Sequence, residues 1–185
     1  STFVNMTDTK LKIAAGLERA FAKGGFAEPS VDDLREAADV SLRTLYKYTP
    51  SRADMVHLAL EHRHQRYIDL LFTDLPEAPD RALSAIIDRV GVWMETEASH
   101  GCLFHAAVAA SPGDQVLRDL LARHKTEVAT KVAIATGRQG YEIELNLILE
   151  GLTQSFTLHG AEAIAAAKRL AGGLPSSIST SNTIP

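Results

Sequence analysis

Apolar residues along this chain recur with the period of a helix and nowhere with the alternation of a strand. Soon after Thr7, the residues Leu11, Ala14, Ala15, Leu17 and Phe21 fall at three- and four-residue spacing, so they line one face of a first helix. Gly24 and Gly25 end it, because glycine enters the left-handed C-terminal conformation without a Cβ penalty. Ser30 stands where an N-cap belongs, its hydroxyl able to accept a bond from a backbone N–H one turn on. Asp32 and Asp33 suit the positive end of that second helix, and Leu34, Ala37 and Ala38 form its buried side. Asp39-Val40 breaks the pattern, Ser41 is a further N-cap, Leu42 to Tyr48 make a third short helix, and Pro50 stops it.

Ser51 restarts a long fourth helix over residues 51–71, with Met55, Val56, Ala59, Leu60 and Tyr67 roughly on one face. The segment TDLPEAPD reads as a loop. Three further helical stretches follow at 80–98, 102–110 and 114–135. GRQG separates these from a helix over 141–158, and His159-Gly160 leads into an alanine-rich helix over 161–171. The closing GGLPSSISTSNTIP has no apolar periodicity and is expected to be disordered. The pattern predicts an all-α protein of about nine helices. Its domains are a small N-terminal one over 7–50, a larger helical one over 51–172, and a tail over 173–185.

A hydrophobic fraction of 45% is enough for a sizeable core. No apolar run approaches bilayer length, the N-terminus lacks a signal-peptide core, and the lone Cys102 has no disulfide partner. These features lead to the expectation of a cytoplasmic protein without a membrane role.

Two short helices joined by a tight turn, with a third helix ahead of them, describe a helix-turn-helix. Its second helix would lie in the major groove and present Ser41, Arg43, Thr44, Tyr46, Lys47 and Tyr48, with Leu45 as the core anchor. The net charge of −4 argues against nucleic acid only until its distribution is read. Across residues 41–66 the bases Arg43, Lys47, Arg52, Arg63 and Arg66 face only Asp54 and Glu61, whereas the preceding helix carries Asp32, Asp33, Glu36 and Asp39 against Arg35. That polarity points to a positive recognition surface beside an acidic neighbour.

The run over 14–55, with FAKGGF and SVDDLREAADVSLRTLYKYTPSRADM, resembles the DNA-binding domain of the tetracycline-repressor (TetR) family. Beyond it the likeness is limited to helix length and order and the GCLF opening of a central helix. The resemblance implies that Thr44 and Lys47 touch bases or nearby phosphates, and that Tyr46 and Tyr48 hold phosphate oxygens. It further implies that Ser30 and Arg52 anchor the flanking DNA backbone. Three positions depart from the family pattern. Asp39 stands at a turn that is usually glycine, Thr49 replaces the aromatic before the proline, and Arg43 replaces what is often a small residue. Arg43 is open to either a guanine or a phosphate contact.

The resemblance also implies a homodimer on an inverted-repeat operator, acting as a repressor and released by a small-molecule effector bound among the middle helices. Candidate lining residues are Trp93, Met94, Phe104, His105, Leu149 and Phe156, each equally readable as core. The helix over 141–158 is apolar around much of its circumference, and Gly151 and the alanines of 161–171 permit close approach, as a four-helix dimer interface requires.

His57, Glu61 and His64 have metal-ligand spacing but lie opposite the apolar stripe of their helix, so they read as a solvated surface. His100, Cys102 and His105 cluster near a helix start, where Cys102 reads more simply as a small buried residue. No catalytic constellation, metal site or cofactor is expected. The competing reading is a helical small-molecule-binding or interaction protein whose helix-turn-helix lacks DNA affinity.

Overall fold

The computed structural model describes residues 8–98 and 101–176 of the chain. Among these the expectation of an all-helical protein holds, with nine helices and no strand. They are α1 (Asp8–Gly24), α2 (Val31–Ala38), α3 (Leu42–Tyr48), α4 (Arg52–Phe72), α5 (Pro79–Thr96), α6 (Leu103–Ala110), α7 (Gln115–Ala135), α8 (Glu142–His159) and α9 (Ala161–Gly172).

Local chemistry sets most of the ends. Gly25, at φ +70°, turns the chain out of α1 while its N–H still donates to the Phe21 carbonyl at 2.9 Å. Ser51 and Asp54 cap the start of α4 reciprocally: the Asp54 N–H donates to Ser51 Oγ at 3.1 Å, and the Ser51 N–H donates to the Asp54 carboxylate at 2.9 Å. At the other end of α4 no glycine is present. Arg89 instead donates to the carbonyls of Leu71 and Thr73 at 3.0 and 2.6 Å, which satisfies acceptors the helix leaves open.

The chain divides into two compact units, the first made of Ser1–Arg66 with Leu103–Leu120, the second of Tyr67–Cys102 with Leu121–Pro185. In the first unit Ile13, Leu17 and Phe21 of α1 close on Leu34 and Ala38 of α2, Leu45 of α3, and Met55 and Ala59 of α4. Gly16 brings α1 and α2 together: a Cβ there would sit 2.4 Å from both the Ala37 carbonyl oxygen and the Ala38 Cα.

Beside this core lies a buried charge cluster. Glu18, only 2% exposed, receives Arg63 and Arg66 on Oε1 at 3.1 and 2.7 Å, and His62 Nδ1 lies 2.5 Å from its Oε2. Burial by itself raises the Glu18 carboxyl. The bond with His62 and the two guanidinium charges outweigh that effect and hold it below the ordinary glutamate value.

The face of α4 that carries His57 and His64 is not the solvated surface expected from its polar pattern. His64 is buried, and His57 Nε2 lies 3.0 Å from Asp114 Oδ2. The stretch Leu103–Leu120 belongs to the same unit and supplies that partner. Among the described residues no group of three His, Cys, Asp or Glu is placed to hold a metal. His100 lies outside the described residues.

The second unit is built on Ile68 and Leu71 of α4, Ile86, Ile87 and Val90 of α5, Val132 of α7, Leu145 and Leu152 of α8, and Ala163 and Ala167 of α9. Gly91 and the small residues of α9 allow α5 and α9 to approach, and a Cβ on Gly91 would meet the Ile164 side chain at 2.4 Å. The start of the expected tail is still packed. Gly173 donates to the Arg169 and Leu170 carbonyls, and Leu174 rests on the core, an apolar side chain finding a surface that periodicity could not foretell. Residues 177–185 lie outside the described residues. No helix of the described residues is long and apolar enough to cross a membrane.

Candidate nucleic-acid interface

The segment from Ser30 to Thr49 forms the helix, turn and helix that the spacing predicts. At its entrance Ser30 is extended (φ −69°, ψ 166°), and its Oγ accepts the Asp33 N–H at 3.2 Å. The Asp33 carboxylate accepts the Ser30 N–H at 2.8 Å and the Ser30 hydroxyl at 2.6 Å. These bonds from the Ser30 hydroxyl and backbone hold the Asp33 carboxyl below its ordinary value.

Asp39 makes the turn. It takes the left-handed conformation (φ 50°, ψ 54°) usually reserved for glycine. Its N–H donates to Glu36 O at 2.9 Å and the Val40 N–H to Arg35 O at 3.4 Å, the paired bonds of a Schellman closure. Lys12 of α1 then secures it, donating to the Asp39 carbonyl at 2.9 Å and to its carboxylate at 2.5 Å. Aspartate therefore does at this corner what glycine's freedom alone would not: its side chain ties the turn back to the first helix.

Ser41 opens α3 by accepting the Thr44 N–H at 3.1 Å, and its hydroxyl shares a 2.8 Å bond with Thr44 Oγ1. Leu45 is fully buried and orients the helix. Arg43, Tyr46 and Lys47 are exposed, while Thr44 and Tyr48 are half-buried. The side chains of Arg43 and Tyr46 have no hydrogen-bond or ionic partner among the described residues. Lys47 Nζ lies 5.6 Å from the Tyr48 ring centre, within cation–π range. Thr49, where the family pattern has an aromatic, is buried, and its hydroxyl donates to Leu45 O at 2.8 Å. The smaller side chain thus costs a ring but leaves no polar group unsatisfied.

No family model matches the sequence, and no curated protein matches it. Solved structures do. A TetR-family transcriptional regulator from Streptomyces coelicolor superposes with a TM-score of 0.71 at 18% identity, covering 89% of this chain and 93% of that one. A TetR transcription regulator from Haloarcula marismortui gives 0.70 at 17% identity over 90% and 96%. A transcriptional regulator from Rhodococcus sp. Rha1 gives 0.70 at 19% identity over 97% and 100%. The chain has the TetR-family fold. At such low identity the likeness speaks for the arrangement of helices and not for any one side chain.

Within this TetR fold, three of the polar residues read from the sequence as DNA contacts are engaged internally. Ser30 and Ser41 cap α2 and α3. Arg52, expected at a DNA phosphate, turns inward: its Nη2 donates to the carbonyls of Phe26 and Pro29 at 2.9 and 2.8 Å, and its guanidinium lies 5.8 Å from the Phe21 ring centre. The loop between α1 and α2 has open carbonyls and offers them closer than solvent does. Arg63 and Arg66, counted above in the positive surface, are held by Glu18 instead. The outward cations of this stretch reduce to Arg43 and Lys47. Sequence reasoning missed Lys12, Gly16 and Glu18. A glutamate directly after a buried leucine gives no local hint that two arginines and a histidine will converge on it.

Of the residues read as an effector lining, Trp93, Met94 and Leu149 belong to the core of the second unit, and Phe156 packs against that core. Phe104, buried, and His105, exposed, lie on α6 in the first unit. Tyr67 meets Trp93 edge-on at 5.1 Å between ring centres. Its hydroxyl is pushed well above the ordinary tyrosine value, by burial first and then by the charges of Cys102 and Glu150.

Proposed function

We propose that this chain is a sequence-specific DNA-binding transcriptional regulator, acting as a homodimer on an inverted-repeat site and released by a small-molecule effector. The observation that carries the reading is α3, which directs Arg43, Tyr46 and Lys47 outward from a turn braced by Lys12 and Asp39. A helix so held can lie in the major groove, with Arg43 and Lys47 meeting bases or phosphates and the Tyr46 and Tyr48 hydroxyls meeting phosphate oxygens. Thr44, near the start of that helix, would be the residue to reach base edges or a nearby phosphate. Ser30, Ser41 and Arg52 serve as the frame.

The dimer reading is supported by α8 and α9. Ile143, Leu147, Leu158 and Leu170 are 76, 66, 79 and 64% exposed, and a groove of about 540 Å³ runs between the two helices beside Gly151 and Ala166. An apolar surface of this kind on two adjacent helices suits burial against its own copy. Two recognition helices would then stand about one DNA turn apart, roughly 34 Å.

Repression with release by an effector requires only that the effector prefer the arrangement that misplaces the two α3 helices. A coupling of about 1.4 kcal/mol changes DNA affinity tenfold. Trp93, Met94, Leu149, Phe156, Phe104 and His105 are the residues to vary in seeking it.

The test is selection of genomic fragments with purified protein, followed by affinity against salt on the enriched sequence. An inverted repeat and a steep fall in affinity with salt are expected, and Lys47→Ala should reduce the slope by about one counterion. No enrichment from folded, dimeric protein would leave the competing reading, a helical binding module without DNA affinity.

A further inference from the structure

We propose that α9 meets its own copy antiparallel, across a two-fold axis between Ala165 and Ala166, with Glu162 of each subunit paired to Arg169 of the other. The inference rests on the dimer reading above and adds to it a direction and a register.

The groove between α8 and α9 has an apolar lining that includes Leu147, Leu152 and Leu170, and of its lining residues Glu162, Arg169 and His159 are ionisable. Glu162 and Arg169 are exposed, and neither side chain has a hydrogen-bond or ionic partner among the described residues. They stand seven positions apart, which is two turns, or about 10 Å, along one stripe of the helix. The midpoint of that stripe falls between Ala165 and Ala166, whose small side chains let two helix axes approach to about 8 Å.

Opposite charges set symmetrically about an alanine centre make the stripe complementary to itself in one direction. Antiparallel, Glu162 faces Arg169 on both sides of the axis. Parallel, Glu162 meets Glu162 and Arg169 meets Arg169, and both contacts repel. Beside the stripe, Leu147 and Leu170 are 66 and 64% exposed, and the antiparallel pairing takes them out of water against the same groove of the second copy.

The two charges also suit their own helix, since Glu162 lies in its first turn and Arg169 in its last. That local effect and the intersubunit pair predict opposite results when the charges are exchanged, which is the basis of the test.

Sedimentation equilibrium of the full chain compares wild type, Glu162→Arg, Arg169→Glu and the double variant that carries both. Each single reversal sets like charge against like at two places in the dimer and should weaken it by about tenfold or more. The double variant restores both pairs and should return to within about threefold of wild type, although its charges now oppose the helix dipole. The two single variants, once mixed, should form a heterodimer visible by native mass spectrometry, because one brings two arginines to the other's two glutamates. Both remain net negative, so bulk attraction does not assemble them. Should a reversal unfold the chain, Glu162→Gln and Arg169→Gln replace it, each expected to weaken the dimer and flatten its salt dependence. Single reversals that leave the wild-type dimer intact would overturn the register while sparing the dimer reading. Weakening with no recovery in the double variant or the mixture would assign the charges to the helix ends and also overturn it. A wild type that stays monomeric would give the groove another occupant and overturn both readings.

Discussion

Replacing Gly16 by alanine tests the close approach on which the helix-turn-helix rests. A Cβ at residue 16 would lie 2.4 Å from the Ala37 carbonyl oxygen, 2.4 Å from the Ala38 Cα and 2.7 Å from the Ala37 carbonyl carbon. All three are backbone atoms of α2, so no rotamer change relieves them. Either α2 moves away from α1, or the helices remain strained. Overpacking of this kind costs about 3 kcal/mol at the upper end of its usual range. Alanine recovers about 1 kcal/mol through its better helix propensity. The net expectation is a loss of about 2 kcal/mol from the first unit.

Gly91→Ala is the matched control. It is also mid-helix and its Cβ also meets an atom at 2.4 Å, but that atom is the Ile164 Cδ1, the far end of a side chain that can rotate. Its cost and its propensity gain should nearly cancel, leaving a change under about 1 kcal/mol. Because the chain has two units, a single unfolding midpoint is a poor readout. Amide hydrogen exchange resolved by helix is the better assay. In Gly16→Ala, protection should fall in α1 and α2 while α5, α8 and α9 keep theirs. If Gly16→Ala is as protected as wild type, or if Gly91→Ala loses as much, the distinction between backbone and side-chain contact is wrong.

Two further expectations follow from the charge cluster and from the exposed face. Glu18→Gln removes the anion from two arginines and should destabilise the first unit by roughly 3 kcal/mol, read as lost exchange protection in α1 and α4. In wild type the Glu18 carboxyl is held low, so its stabilising contribution is complete above the ordinary glutamate value and is lost as pH falls through the lower folded-state value. The acid-induced loss of protection in α1 should therefore be shallower in Glu18→Gln, and an equal slope would count against the cluster. Leu147→Glu puts a charge on the exposed apolar face of α8 without entering the core, so if the proposed dimer forms through this face, sedimentation should show dimer for wild type and monomer for the variant; a variant that stays dimeric would move the interface elsewhere.

The helices and their ends were legible in the sequence because the interactions that set them are local. Ser30, Ser41 and Ser51 cap within one turn, Gly25 reverses the chain at its own φ, and Leu45 is the buried residue of a seven-residue helix. The register of α3 follows from these, and with it the exposure of Arg43, Tyr46 and Lys47. Where each remaining charge goes was not legible, because it depends on what another helix brings alongside. Arg52 found the carbonyls of Phe26 and Pro29, Arg63 and Arg66 found Glu18, and His57 found Asp114, a residue 57 positions away. A one-dimensional pattern shows that a face is polar; only packing decides whether that polarity meets water or a partner. The same limit applies to Gly16, whose lack of a side chain reads as a weak point in a helix until α2 is set against it.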